Sequence, residues 1–165
     1  MKSAFRLVFP SLLLVTGALL GGCAGAPQGI QSSALYASAA SIQSEPPGDY
    51  YIGRRYFKPV YKIWGYVRRP GQPWSSSQLV VLNEKQKLAP DREIRQFGSD
   101  NGYEYKLYGE FGPDKVYEPA SNGFYPEFIL KNYELMSRNP PPIFRSQVNG
   151  RAQAGMQSLS IERPE

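Results

Sequence analysis

The chain has 165 residues and a formal net charge of +5, with 41% hydrophobic and 13% aromatic residues. This composition is typical of a globular protein and excludes a wholly disordered one. The absence of histidine excludes Ser-His-Asp and Cys-His catalysis and histidine metal ligands, and the single cysteine excludes an internal disulfide.

The first 22 residues are predicted to form a secretory signal. Lys2 and Arg6 give the segment a positive start, and an uncharged apolar run over residues 7–20 follows them. This run is shorter than the roughly 20 residues that a membrane-spanning helix needs. We therefore expect residues 1–22 to be a signal helix that is removed from the mature protein.

The apolar run ends in Leu20-Gly21-Gly22-Cys23. These residues resemble the lipobox of bacterial lipoproteins, in which small residues admit the signal peptidase and the cysteine thiol accepts diacylglycerol. The resemblance implies that Cys23 is the lipidated first residue of the mature protein. Acyl chains such as palmitate would hold it on a membrane, since each buried CH₂ contributes about 0.8 kcal/mol. Because Ala24 follows the cysteine, the resemblance also implies the cell outer membrane, facing the periplasm.

The mature chain is predicted to divide into three regions. Residues 23–48 comprise the lipidated cysteine and a flexible tether rich in Ala, Ser, Gly and Pro. Residues 49–146 form one small β domain, and the polar residues 147–165 form a disordered tail. Residues 49–95 hold ten basic and four acidic side chains, whereas residues 96–139 hold four basic and seven acidic ones. This asymmetry favours an acidic partner for one face, unless both signs merely keep the domain soluble.

Short aromatic and β-branched runs separated by Gly, Pro, Asn and Asp predict strands and tight turns. The predicted strands are residues 61–67, 78–83, 103–111 and 116–118, with turns at 112–115 and 121–123. Residues 78–83 are apolar enough to be buried on both faces. The alternation in 103–111 places four side chains on one face, namely Tyr103, Tyr105, Leu107 and Phe111.

The last element, residues 124–136, fits either a helix or a strand. We favour a strand because the preceding strands need pairing partners. Ile143 and Phe144 are expected to pack back onto the domain. With glycines at the bends Gly65 and Gly109, these elements predict an all-β fold: a small antiparallel barrel of about five strands, OB-like or SH3-like.

Residues 50–57, Tyr-Tyr-Ile-Gly-Arg-Arg-Tyr-Phe, resemble the opening segment of the rare lipoprotein A class, which acts on peptidoglycan. The active-site stretch of that class, with its aspartate and histidine, does not follow here. The lytic activity is therefore not carried over to this chain. The sequence predicts no catalytic residue, no metal ligand and no cofactor.

Cations and aromatic residues interleave in residues 50–74. Exposed rings can stack on sugars, and arginine pairs with carboxylate or phosphate. The proline-stiffened loop 68–74 adds two arginines and Trp74, although Trp74 could instead close one end of the barrel. The predicted binding residues are Arg54, Arg55, Trp64, Arg68, Arg69 and Trp74. The alternative is that the aromatic residues form the core and the cations solubilise its outside.

The sequence thus favours a non-enzymatic binding or scaffold module that is membrane-bound through its lipid and contacts envelope protein or peptidoglycan. Nucleic acid is not expected as a partner in the cell envelope. The alternative is a carboxylate-dependent cell-wall hydrolase, since glycosidic cleavage needs only two carboxylates. The candidates are Glu84, Asp91, Glu93, Glu104, Glu110, Glu118 and Glu127. Scattered surface acids would give the same pattern.

Overall fold

The computed structural model describes residues 37–144 and 161–165. The first described residues, 37–43, are helical (α1). The elements that follow are β1 (Tyr51–Arg55), β2 (Gly65–Arg68), a 3-10 turn (Trp74–Ser76), β3 (Gln78–Asn83), α2 (Pro90–Glu93), β4 (Glu104–Glu118) and β5 (Gly123–Ser137). No helix within these described ranges is long and apolar enough to cross a bilayer. The predicted signal helix and Cys23 lie outside the described residues.

The five strands close into a barrel in the order β1-β2-β3-β5-β4. The predicted small all-β barrel is therefore confirmed. One detail needs correction, because β3 and β5 run parallel, with Leu82 opposite Phe128, while the other neighbours are antiparallel. The parallel pair arises because β5 is inserted between β3 and β4. The resulting Greek-key order is that of the OB-like alternative.

The interior of the barrel is filled by aromatic and aliphatic side chains. They are Tyr51, Trp64, Val67, Val80, Ala89, Tyr105, Leu107, Phe128 and Leu130. Phe128 is fully buried, and the rings of Tyr51 and Phe111 meet it edge-on, with centroids 5.1 and 5.3 Å away. Edge-to-face pairs of this kind add about 0.5–1.5 kcal/mol each to the stabilisation from burial. The core is thus organised around Phe128.

The predicted alternation in residues 103–111 is confirmed. Tyr105 and Leu107 are buried in the barrel interior, and Tyr103 and Phe111 pack against it. The last predicted element is a strand, β5, which pairs with β4 along most of its length. In a strand, successive side chains point to opposite faces of the sheet, so alternate residues of β4 face the barrel interior.

Two other predicted strands differ in extent or burial. The predicted strand 61–67 is shorter, because β2 begins at Gly65 and residues 61–64 belong to the β1–β2 loop. β3 has the predicted bounds, but only Val80 in it is fully buried. The expectation of burial on both faces was wrong, since the outside of β3 is covered only in part, at Leu79.

The predicted turn at 112–115 lies within β4, and the strand continues through it. Strands β4 and β5 pair on both sides of it, with Phe111 opposite Phe128 and Lys115 opposite Pro126. More residues therefore stand on β4 than on β5 between these pairs, which defines a β-bulge. Glycine and proline therefore mark a bulge here. The same residues are typical of a turn, so the sequence alone does not distinguish the two.

The two predicted bend glycines occupy positions where backbones approach closely. A Cβ added to Gly109 would lie 2.1 Å from the carbonyl oxygen of Ile129, and one added to Gly65 would lie 2.1 Å from that of Arg54. Gly109 also stands at a register shift between β4 and β5. Any side chain there would force the two strands apart.

A second apolar cluster, which we call the outer layer, covers the outside of β1 and β2. It consists of Tyr50, Ile52, Tyr66, Trp74, Ile143 and Phe144, with Ile42, Tyr56, Leu79 and Tyr108 packed against it. Ile143 and Phe144 therefore pack back as predicted. Glu165 joins them, since its N–H donates a hydrogen bond to the Ile143 carbonyl at 3.0 Å.

Described residues on both sides of the predicted domain also contact the barrel. Within the predicted tether, residues 37–43 are helical, Ile42 packs on the outer layer and Glu45 pairs with Arg68. Within the predicted tail, the carbonyl of Glu162 accepts a hydrogen bond from the Tyr66 hydroxyl. These segments are ordered by tertiary contacts, which their polar composition does not reveal.

Candidate functional site

The structure divides the six predicted binding residues between two places. Arg55 and Trp64 lie at one end of the barrel, whereas Arg54, Arg68 and Trp74 lie on its outer layer. These five residues are at most 6% exposed. The Arg69 side chain is 45% exposed, pairs with Asp49 at 3.3 Å and lies over the Tyr51 ring. The predicted residues therefore do not share one open surface.

Arg55 is the centre of a buried ionic cluster. Its Nη2 donates to Asp91 Oδ2 at 2.8 Å, and its Nε donates to Asp100 Oδ1 at 3.2 Å. The Tyr105 hydroxyl donates to the other Asp100 oxygen at 3.1 Å. One guanidinium thus ties α2 and the segment before β4 to the end of β1. We call Arg55, Asp91, Asp100 and Tyr105 the Arg55 cluster.

The two carboxylates of the Arg55 cluster differ in acidity. Burial acts to raise the pKa of Asp91, but the Gly98 N–H and the positive charge of Arg55 outweigh it, so this pKa lies below its usual value. Burial and the negative charge of Asp91 both raise the pKa of Asp100. Arg55 lowers it, but not enough, so the pKa of Asp100 lies above its usual value. The protein therefore stabilises the charge of Asp91 better than that of Asp100.

A cleft of about 580 Å³ opens beside the Arg55 cluster, between the β1–β2 loop, the end of β3 and the α2 region. We call it the barrel-end cleft. Its aromatic walls are Phe57, Tyr61, Trp64 and Phe97, and its charged groups are Arg55, Lys62, Glu84, Asp91 and Arg92. The half-exposed Arg92 pairs with Glu84 at 3.0 Å and lies over the Phe97 ring. The cleft thus combines the residue types that the sequence predicted for binding.

Three buried polar atoms beside this cleft have no hydrogen-bond partner among the described residues. They are Tyr61 Oη, Trp64 Nε1 and Asp91 Oδ1, and all three residues line the cleft. An unpaired buried polar group costs about 1–3 kcal/mol, so each such group in a folded protein needs an explanation. Within the described part of the chain, the domain therefore leaves three buried polar atoms unpaired in residues that line the barrel-end cleft.

No protein-family model matches this sequence. Neither a curated protein nor a solved structure is significantly similar to it.

The acidic residues show no arrangement that marks a catalytic or metal centre. In residues 37–144 and 161–165, no three or more acidic or cysteine side chains are grouped to hold a metal ion. Each candidate carboxylate of the hydrolase alternative is bonded within the domain: Glu84 to Arg92, Asp91 to Arg55, Glu93 to Lys87, Glu104 to Arg54, Glu110 to Lys131, Glu118 to Ser121 and Glu127 to Asn83. These contacts single out no pair as acid and base.

Trp74 lies on the outer layer between two buried arginines, and does not close an end of the barrel. The guanidinium carbons of Arg54 and Arg68 lie 5.1 and 4.4 Å from its ring centre. Arg54 also donates to Glu104 at 2.6 Å and to the Pro141 carbonyl at 2.9 Å. Arg54, Arg68 and Trp74 therefore lie together as predicted for a binding site, but other parts of the chain cover them.

Sequence reasoning missed Asp100 and Glu45, two of the four acidic partners of the buried arginines. Asp100 follows Gly98-Ser99, in a segment whose composition is typical of a turn. Glu45 lies between serine and proline in the predicted tether. One signal was available. Arg54 and Arg55 directly follow the apolar start of β1, and buried cations require acidic partners somewhere in the chain.

Proposed function

We propose that this chain is a lipid-anchored protein of the periplasmic face of the outer membrane, and that its barrel is a non-enzymatic binding module for peptidoglycan. The anchor rests on the lipobox that ends at Cys23. The binding rests on one observation, the barrel-end cleft, in which stacking rings, accessible cations and unpaired hydrogen-bonding atoms occur together.

The chemistry of the cleft suits an acidic glycan. Peptidoglycan presents sugar rings together with the carboxylates of its peptides. Phe97 is 66% exposed and offers a ring face for stacking. The cations Lys62 and Arg92 line the same cleft and attract carboxylates. The ligand is held by stacking and by ionic contacts, with no bond made or broken.

We expect the double substitution Lys62→Ala and Arg92→Ala to weaken binding to purified peptidoglycan sacculi. Each exposed ionic contact contributes up to about 1 kcal/mol, so losing two should lower the affinity by up to about thirtyfold. Co-sedimentation of the chain from residue 24 onward, without lipid, measures this at two salt concentrations. The difference should shrink in 1 M salt, where the Debye length falls to about 3 Å.

The matched control is Lys131→Ala. Lys131 is a half-exposed cation that pairs with Glu110 at 2.8 Å and does not line the cleft. This variant should sediment like the wild type. Equal sedimentation of the cleft variant and the control would remove the cleft from the proposal. A wild-type chain that fails to sediment at low salt would move the ligand from peptidoglycan to an envelope protein.

The anchor is tested separately by Cys23→Ser. A serine hydroxyl does not accept diacylglycerol, so the variant should not incorporate labelled palmitate, whereas the wild type should. Metabolic labelling followed by immunoprecipitation measures the incorporation. Equal incorporation in the two forms, or none in the wild type, would contradict the lipoprotein assignment and leave the cleft unaffected.

A further inference from the structure

Glu45 occupies a carboxylate-binding site on the outside of the barrel. Nη1 of Arg68 donates to Glu45 Oε2 at 2.7 Å, and Nη2 donates to Oε1 at 2.5 Å. The Gly71 N–H donates to Oε2 at 2.8 Å. The Arg68 side chain is only 1% exposed. A buried arginine fork with an added backbone donor is the geometry with which proteins recognise carboxylates specifically.

The segment that carries Glu45 is otherwise held lightly. In residues 37–43 only Ser38 and Ile42 are partly buried, and the other side chains are exposed. A gap of about 140 Å³ lies between this helix, Trp74 and residues 142–144. The segment is therefore attached mainly at Ile42 and Glu45. Two anchors on a short stretch are typical of a peptide bound in a groove, where a few side chains give most of the affinity.

The segment around Glu45 also leaves donors of the neighbouring arginines unpaired. Nε of Arg68 and Nε of Arg54 are buried without a hydrogen-bond partner among the described residues. The guanidinium carbons of Arg54 and Arg68 both lie near Trp74, 5.1 and 4.4 Å from its ring centre. Unpaired donors on charged groups are costly. A peptide with a second acidic side chain could pair with donors that Glu45 leaves free.

We propose that Arg54, Arg68, Trp74 and the Gly71 N–H form a docking site for an acidic peptide segment of a partner protein. The chain's own segment around Glu45 occupies the Arg68 and Gly71 part of this site until the partner displaces it. The partner carries an apolar residue three positions before a glutamate, as Ile42 precedes Glu45, and a further acidic residue nearby. An attached segment has an effective concentration in the millimolar range, so the partner must bind tightly or be locally concentrated.

The probe is a fluorescent peptide of residues 37–50, titrated by anisotropy against the chain from residue 24 onward. We expect it to bind the Glu45→Ala chain at least tenfold more tightly than the wild-type chain, whose site is filled. Adding Arg68→Met to Glu45→Ala should abolish binding. A probe carrying Glu45→Gln should bind the Glu45→Ala chain at least tenfold more weakly than the unchanged peptide.

The matched control is Glu110→Ala, which removes an exposed acid far in sequence from the site and should bind the probe like the wild type. Circular dichroism and a cooperative thermal transition establish that each variant folds. Should Glu45→Ala fail to fold, Glu45→Gln in the chain replaces it, since it keeps the side-chain volume and loses the charge. Equal binding to the wild-type and Glu45 variants, or binding that survives Arg68→Met, would overturn the proposal. Sedimentation with sacculi should be unchanged in the Glu45 variants, because the barrel-end cleft is intact.

Discussion

Replacing Arg55 with methionine lowers the free energy of unfolding by about 3–5 kcal/mol, because removing one partner of a buried ion pair leaves charge uncompensated. Asp91 and Asp100 are 1% and 3% exposed, and without Arg55 they would face each other as two buried negative charges. Small domains have a total stability of about 5–15 kcal/mol, so the loss is a large share of it. Urea unfolding at neutral pH, monitored by tryptophan fluorescence, measures the change.

Two further variants separate ion pairing from simple loss of packing. Arg69→Met removes an arginine whose partner Asp49 is fully exposed, and it should change stability by less than about 1 kcal/mol. Adding Asp100→Asn to Arg55→Met should recover part of the loss, because only one buried charge then remains. The raised pKa of Asp100 already indicates that its charge is the less well stabilised of the two. If Arg55→Met costs no more than Arg69→Met, the Arg55 cluster does not hold this end of the barrel.

Truncating Phe128 to alanine is expected to cost about 3–5 kcal/mol, as for other fully buried aromatic residues. Phe128 is 0% exposed and meets the rings of Tyr51 and Phe111, so its removal leaves a cavity between β1, β4 and β5. The control is Phe124→Ala on the same strand, where the ring is 66% exposed and contacts Tyr117. This control should cost less than about 1 kcal/mol. Similar losses at the two positions, measured by urea unfolding, would mean that the interior is not packed around Phe128.

The barrel itself could be predicted from the sequence because its strands carry local signals. Alternation marks the first half of β4, a continuous apolar run marks β3, and the need for pairing partners identifies β5 as a strand. A signal of this kind depends only on residues next to each other in the chain. The bulge in β4 was missed because Gly112-Pro113-Asp114 is equally typical of a turn.

The candidate site could be predicted only in composition. The chain does combine rings and cations between residues 50 and 74, but arginine is mostly exposed in proteins, which favoured an open surface. Glu104, which pairs with Arg54, is 50 residues away from it in sequence, and Glu45, which pairs with Arg68, is 23 residues away. Phe97, which lines the cleft, belongs to a loop for which the sequence predicted no role. Contacts at such separations depend on the tertiary fold, which no local pattern encodes.

In the proposed anchored form, the pairing of Arg68 with Glu45 would set the point at which mechanical load enters the domain. Tension between the membrane and the barrel would be transmitted through the chain that precedes residue 37. That tension meets the Glu45 carboxylate and the Ile42 side chain before it reaches the first residue of β1. The contact would yield under load while the hydrogen-bonded strands of the barrel stay unstretched. Tension and a competing acidic peptide would therefore act on the same contact, and pulling on the anchor would free Arg68 and the Gly71 N–H.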